Sequence, residues 1–325
     1  MKSYYPFSLL LFLITLSNSA YSETYSIAFG SCINQDLPQP IWSAIEKDNI
    51  DGFIFLGDNV YGDDTSGNLI KLRSAYSKQK LQFPSWLSNK DIFTIWDDHD
   101  YGENDGGGSY INKKESQDIF LYFWDIPQDD QRHHQEGIYY DKEIVVDGLK
   151  VHFIGLDTRY FRSEIKGKKL SYQNNIDEDA GILGMDQWNW LNKTISRDAD
   201  LVIIMTSIQL LATNHRFEKW SLFPNDRKKM LDLINNLDAT TIVISGDRHR
   251  AGIYKYGDIF EVTSSSINVP SSRKSSSETD LLLMGDMYTS ENYGFILIDG
   301  VQKKVSIGLK DIKGNVINKK IVLIK

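Results

Sequence analysis

Five short loops collect side chains that bind metal ions. They read Gly30-Ser31-Cys32, Gly57-Asp58-Asn59-Val60-Tyr61-Gly62-Asp63-Asp64, Trp96-Asp97-Asp98-His99-Asp100-Tyr101, Thr206-Ser207-Ile208-Gln209 and Ser245-Gly246-Asp247-Arg248-His249-Arg250. Taken singly, Asp63, Asp64 and Asp100 fit solvated or capping carboxylates, which loops gather anyway. Asp58, Asp97, Asp98 and Asp247, with His99, His249, Tyr61 and Cys32, form a set that solvation does not explain. Concentrated carboxylates repel one another and need cations between them. A mixture of thiolate, phenolate, imidazole and carboxylate suits at least one transition metal, with harder oxygen sites nearby for Ca²⁺, Mg²⁺ or Mn²⁺. Cys32 is the only cysteine, so no internal disulfide forms. The residue is a buried inert thiol, a link to another chain or a metal thiolate.

Each loop follows a short apolar, β-rich run: Tyr25 to Phe29, Phe53 to Leu56, Ile92 to Trp96, Leu201 to Met205 and Thr241 to Ile244. Val151 to Leu156 is a sixth run of the same kind. Helical periodicity lies between most of them, at Ile41 to Lys47, Glu115 to Trp124, Met185 to Ser196 and Asp226 to Asn235. Such alternation predicts an α/β fold with mainly parallel strands, in which loops leaving the carboxyl ends of strands meet on one edge. Gly137 to Leu156 reads as a hairpin turning at Asp147-Gly148. Beyond Ile253 only strands follow: Phe260 to Thr263, Gly294 to Asp299, Lys303 to Lys310 and Val316 to Leu323. Two packed sheets with helices outside fit this order. Phe161 to Gly184, polar and strand-poor, and the Ser-rich Ser264 to Thr279 exceed usual connection lengths, and read equally as surface insertions or as a rim over a site.

The chain has 325 residues, 41% hydrophobic and 25% charged, with a net charge of −8. This is a globular composition with length enough for a sizeable core. Its acidity argues against a nucleic-acid backbone or an anionic membrane as main partner. Lys2, the apolar run Phe7 to Leu16 and the small residues Ala20 and Ser22 form a secretory signal, residues 1–22, with cleavage after Ser22 preferred to cleavage after Ala20. The apolar run is half the length of a spanning helix, and no later segment reaches that length. Residues 23–325 are then the exported domain, periplasmic or secreted, carrying no transmembrane anchor.

At the strand-end loops the chain resembles the PhoD-like alkaline phosphatase family of the metallophosphoesterase superfamily. The likeness rests on Phe29-Gly30-Ser31-Cys32, Leu56-Gly57-Asp58-Asn59-Val60-Tyr61-Gly62-Asp63, Trp96 to Gly102 with Asn104-Asp105, Leu156-Asp157-Thr158-Arg159, and Ser245 to Arg250, in that order. The resemblance implies a four-layer α/β/β/α sandwich. It also implies a cluster in which Asp58 bridges two metals, Tyr61 and Cys32 bind Fe³⁺, and Asp98 holds a second metal, with Asp247 and His249 serving one metal each. Fe³⁺ and Ca²⁺ are the implied cations, with Mn²⁺ or Zn²⁺ as replacements. Metal-bound hydroxide then attacks a phosphomonoester, and His99 touches the leaving group, both as substrate contact and as acid. Gln209 stands where relatives carry a metal-binding His. Arg159 and Arg162 read as braces for the Asp157 loop rather than as substrate contacts. His133 and His134 read as solvated and His152 as a satisfied strand residue, while His215 stands within possible reach of the substrate. The signal carries no Arg pair, so export by the general secretory route is expected, with metals acquired outside the cytoplasm. A phosphodiesterase or phospholipase using the same metals, and an inactive surface-binding protein, are the alternatives.

N-terminal sequencing of the exported protein is expected to begin at Glu23. A protein that still begins at Met1 would remove the signal assignment.

Overall fold

The structure, a computed structural model, describes residues 24–325 apart from 65, 196–197 and 272–278. The signal segment and the middle of the Ser-rich loop therefore lie outside the described residues, as does Ser196 at the end of one predicted helix. The strands are β1 (Tyr25–Gly30), β2 (Gly52–Leu56), β3 (Asp91–Ile95), β4 (Tyr140–Val146), β5 (Leu149–Gly155), β6 (Lys166–Lys168), β7 (Ser171–Gln173), β8 (Leu201–Met205), β9 (Thr240–Ser245), β10 (Ala251–Tyr256), β11 (Ile259–Ser264), β12 (Asn292–Asp299), β13 (Lys304–Asp311) and β14 (Val316–Leu323). The α-helices are α1 (Trp42–Lys47), α2 (Ile70–Gln82), α3 (Asp98–Tyr101), α4 (Lys113–Phe123), α5 (Gly184–Thr194) and α6 (Pro224–Asn235).

One six-stranded sheet runs β14-β13-β12-β1-β2-β3 and the other β10-β11-β9-β8-β5-β4. In the first, β1, β2 and β3 are parallel and β12 to β14 form an antiparallel meander. In the second, β5, β8, β9 and β11 are parallel, with antiparallel β4 and β10 at the edges. The β4–β5 hairpin turns where expected, with both Asp147 (φ 46°) and Gly148 (φ 87°) left-handed, as a two-residue turn that matches strand twist requires.

The period of two in a strand sends alternate side chains to opposite faces, and that alternation builds the layers. Ile27, Phe29, Ile54, Leu56, Leu201, Ile203 and Met205 enter the core between the sheets. Ala28, Phe53 and Phe55 point the other way, onto Trp42 and Ile45 of α1. Val202, Ile204 and Val243 likewise meet Trp188 and Leu191 of α5 and Met230 and Ile234 of α6. The result is the α/β/β/α sandwich expected.

Two elements differ from the sequence reading. Helix α2 shows no one-sided apolar pattern: it buries Leu72, Ala75, Tyr76 and Gln79 at helical spacing, but Ile70 and Leu81 stay exposed on its other side and cancel the signal. The Phe161 to Gly184 stretch, expected to be strand-poor, contains the small β6–β7 hairpin, whose Lys, Ser and Gln side chains carry no apolar alternation.

Candidate metal centre

The five loops meet at the carboxyl ends of the central strands. Two glycines permit the approach. A Cβ on Gly57 (φ 94°) would sit 2.5 Å from Cβ of Asp97, and one on Gly246 would sit 2.5 Å from Oγ of Ser31. The first brings the β2 and β3 loops together; the second presses the β9 loop of one sheet onto the β1 loop of the other. Four candidate ligands then take left-handed backbone: Cys32 (φ 59°), Asp58 (φ 48°), Asp247 (φ 66°) and His249 (φ 52°). Non-glycine residues in such conformations cost about 1–3 kcal/mol each and cluster at functional sites.

Cys32, Asp58 and His249 place a ligand atom each within 4.8 Å of one another, and so do Asp58, Asp98 and His99. Asp58 belongs to both groups. Its Oδ2 lies 3.4 Å from Sγ of Cys32, and Tyr61 Oη lies 3.5 Å from Nε2 of His249. The Tyr61 ring packs on that of His99, with centroids 4.2 Å apart. Asp247 belongs to neither group, although Asp98 and burial push its carboxyl up to about 7, burial more strongly. Six of the seven predicted residues are thus brought together and Asp247 stands beside them.

The donor chemistry fits cations. Burial drives the Asp58 carboxyl well above its usual range, with Asp98, Asp97 and Asp100 adding to it against the opposing charge of His99. Burial, with Asp58, does the same to the Cys32 thiol, and burial, with Cys32 and Asp58, to the Tyr61 phenol. A bound positive charge would let these groups ionise. Asp98 behaves differently: burial opposes its charge, but His99, Arg159 and the Asp105 N–H hold it well below the usual carboxylate range. Its Oδ1 is buried with no hydrogen-bond partner among the described residues, as an oxygen kept for a cation would be.

His99 is held by Asp63, whose Oδ1 lies 2.6 Å from Nδ1. Burial disfavours the imidazolium, yet Asp98, Asp58 and Asp63 together push its pKa up to about 11. Asp63 is thus neither solvated nor a cap, whereas Asp64 is a turn carboxylate accepting from Ser66. Asp100 is a buried brace. It accepts from the backbone N–H groups of Asp58, Asn59 and Asp97 and from the Asn59 amide.

Asp97 belongs to neither ligand group, and its Oδ1 enters a buried ion network. Arg159 Nε donates to its Oδ1 at 2.6 Å and Arg159 Nη1 to Glu218 at 2.5 Å, while Arg162 Nε lies 2.8 Å from the other Glu218 oxygen. The two arginines brace, as their positions suggested. Glu218 was not legible, since it stands alone in a loop with no motif around it. Gln209 is also a brace: its amide donates to Thr263 at 2.8 Å and accepts from Arg248 at 3.1 Å. His152 pairs with Asp141 at 3.0 Å and His133 with the Ile126 carbonyl at 3.1 Å, so His133 is structural rather than solvated. His215 Nδ1 accepts from the Phe217 N–H, and burial and nearby Arg248 push its pKa down.

Residues 27–293 match the PhoD-like phosphatase family. Among solved structures the chain is similar to that of PhoD, at 14% identity and a TM-score of 0.68, over 92% of this chain and 68% of that one. It is also similar to GAP50, the anchor in the inner membrane complex of Plasmodium, at 13% identity and a TM-score of 0.62, over 93% of this chain and 89% of that one. At such identities these two likenesses speak for the fold. The chain matches no curated protein by sequence.

Arg159→Leu should lower stability by about 3–5 kcal/mol in urea denaturation, because it leaves Asp97 and Glu218 buried without their shared cation. A loss under about 1 kcal/mol would show that the network contributes little.

Proposed function

The chain belongs to the PhoD-like phosphatase family and hydrolyses phosphoric esters with the help of bound metal, and we propose that it is an exported phosphomonoesterase whose two cations share Asp58. The observation that carries this reading is the membership of Asp58 in both ligand groups. Cys32, Tyr61 and His249 would hold the first cation, a soft and anionic donor set that suits Fe³⁺. Asp98 would hold the second, of Ca²⁺ or Mn²⁺ type, with Asp247 reaching it when its proton is lost and His99 close by. When bound, the cations supply neutralisation of the phosphoryl oxygens and acidify water enough for attack near neutral pH.

The chain's own residues do the rest. Asp58 and Asp98 would contribute negative charge at fixed positions, Asp98 through an oxygen with no hydrogen-bond partner among the described residues. Asp63 grips one ring nitrogen of His99, so the ring is oriented, and its protonated form would donate to the departing ester oxygen. The ring of Tyr61 backs that of His99 and limits its rotation. Asp100 and the Asp97–Arg159–Glu218 network stay out of the chemistry and fix the loops. No described helix is long and apolar enough to cross a membrane. Residues 1–22 would direct export and be removed, leaving residues 23–325 as the phosphatase domain.

Asp58→Asn is the direct test, run on a chromogenic phosphomonoester beside the matching diester. Turnover should fall below detection with both, because a neutral amide cannot hold two cations together, while the fold survives because β2 is untouched. In the wild type the monoester should be the faster substrate, activity should vanish with a chelator, and Ca²⁺ or Mn²⁺ should restore it. Near-wild-type turnover in Asp58→Asn would end the bridging assignment, and a faster diester would replace the monoesterase reading with a phosphodiesterase.

A further inference from the structure

The β6–β7 hairpin touches the loop beside the metal centre at Asn104, which accepts from Lys169 at 3.1 Å, and at Asp105. Tyr172 Oη donates to Oδ2 of Asp105 at 2.8 Å, and Lys169 Nζ lies 3.4 Å from the same oxygen. Arg162 donates to the Asp105 carbonyl. The backbone of Asp105 is left-handed, at φ 53°, and its N–H donates to Oδ2 of Asp98 at 2.7 Å. That bond ties one oxygen of the Asp98 carboxylate to the loop. Oδ2 is spent on the loop, and Oδ1 is left buried and unpartnered among the described residues.

We infer that Tyr172 is a positioning residue for the metal centre: through Asp105 it fixes the rotation of the Asp98 carboxylate that presents Oδ1 to a cation. This rests on the reading of Asp98 as a ligand. Left-handed backbone at a non-glycine residue persists only when its surroundings hold it, and here the holding groups come from an insertion remote in sequence. Partly buried Tyr172, with a phenol pushed upward by burial and by Asp105, keeps its proton and so remains the donor. Without the phenol oxygen, the Asp105 carboxylate loses its one hydrogen bond from the hairpin and keeps the 2.7 Å bond from the adjacent Asn104 amide, which moves with the same loop, and the longer Lys169 ion pair. The Asp105 N–H is then free to drift from Asp98, and Asp98 to turn. Groups that orient a ligand in this way commonly change metal affinity 10- to 100-fold when removed.

The test is calorimetric titration of the full chain, stripped of metal, with Mn²⁺ alone. Tyr172→Phe keeps the ring and its packing, so it should weaken one Mn²⁺ site by about 10- to 100-fold and leave the other site and the melting temperature unchanged. Asp105→Asn should bind as the wild type does, since its amide oxygen still accepts from Tyr172 and asparagine tolerates the left-handed backbone. Asp98→Asn should lose the same site that Tyr172→Phe weakens. Wild-type affinity at both sites in Tyr172→Phe, or equal weakening of both with a lowered melting temperature, would overturn the inference while Asp98→Asn still loses its site. Unchanged binding in Asp98→Asn would instead overturn the ligand reading beneath it.

Discussion

Everything in this structure answers to the repulsion among carboxylates crowded where the two sheets meet. Asp58, Asp97, Asp98 and Asp100 are all buried, and the ligand atoms of Asp58 and Asp98 lie within 4.8 Å of each other. At that spacing two full charges repel by about 3–4 kcal/mol even at an effective dielectric of about 20. A domain's whole net stability is only about 5–15 kcal/mol, so several such pairs cannot be left uncompensated. The fold divides the problem. Arg159 and Arg162 neutralise Asp97 and Glu218 on one side with permanent charges, and Asp100 spreads its charge over backbone N–H donors. On the other side His99 opposes the charge of Asp58, and His99 with the more distant Arg159 that of Asp98, and bound cations would complete the compensation.

The crowding also shows in the backbone. Left-handed non-glycine residues occur in ordinary turns such as Asp147 and Leu170, but five of them, Cys32, Asp58, Asp247, His249 and Asp105, fall at or beside the cluster. Gly57 and Gly246 let loops of different strands approach closer than any Cβ would allow, and the parallel strands behind them are locked by three apolar layers. A rigid scaffold thus carries loops that would not hold their shape alone. The PhoD-like phosphatase fold gathers its candidate ligands at that edge and its apolar core beneath it.

Much of this was legible in the chain. Period-two apolar runs such as Tyr25 to Phe29 and Leu201 to Met205 gave the strands, and the loops after them carried the candidate ligand residues that the fold brings together. What was hidden had physical reasons. Helix α2 buries a glutamine and an alanine where a pattern needs large apolar groups. The strands of the β6–β7 hairpin hold one apolar side chain, Tyr172, among Lys, Gly, Ser and Gln, so nothing in them alternates. Asp63 looked like an ordinary loop carboxylate because its partner, His99, is set only by the tertiary fold, whereas Asp100 does cap, accepting from the Asp97 N–H at the start of α3, and only its added bonds to Asp58 and Asn59 were hidden. Glu218 and Tyr172 act across more than fifty residues of sequence and have no local signature at all. Gln209 occupied a ligand's place in the order of motifs, yet both ends of its amide are consumed by Thr263 and Arg248. Asp247 shared the ligand pattern of His249, but the turn between them aims only His249 into a group with Cys32 and Asp58.

The central claim is that bound cations complete this buried acid cluster. Elemental analysis of the purified full chain, with phosphatase activity measured on the same sample, tests it most directly. The account predicts at least two cations per chain, iron among them, in the active protein. A protein free of metal and still fully active would contradict it.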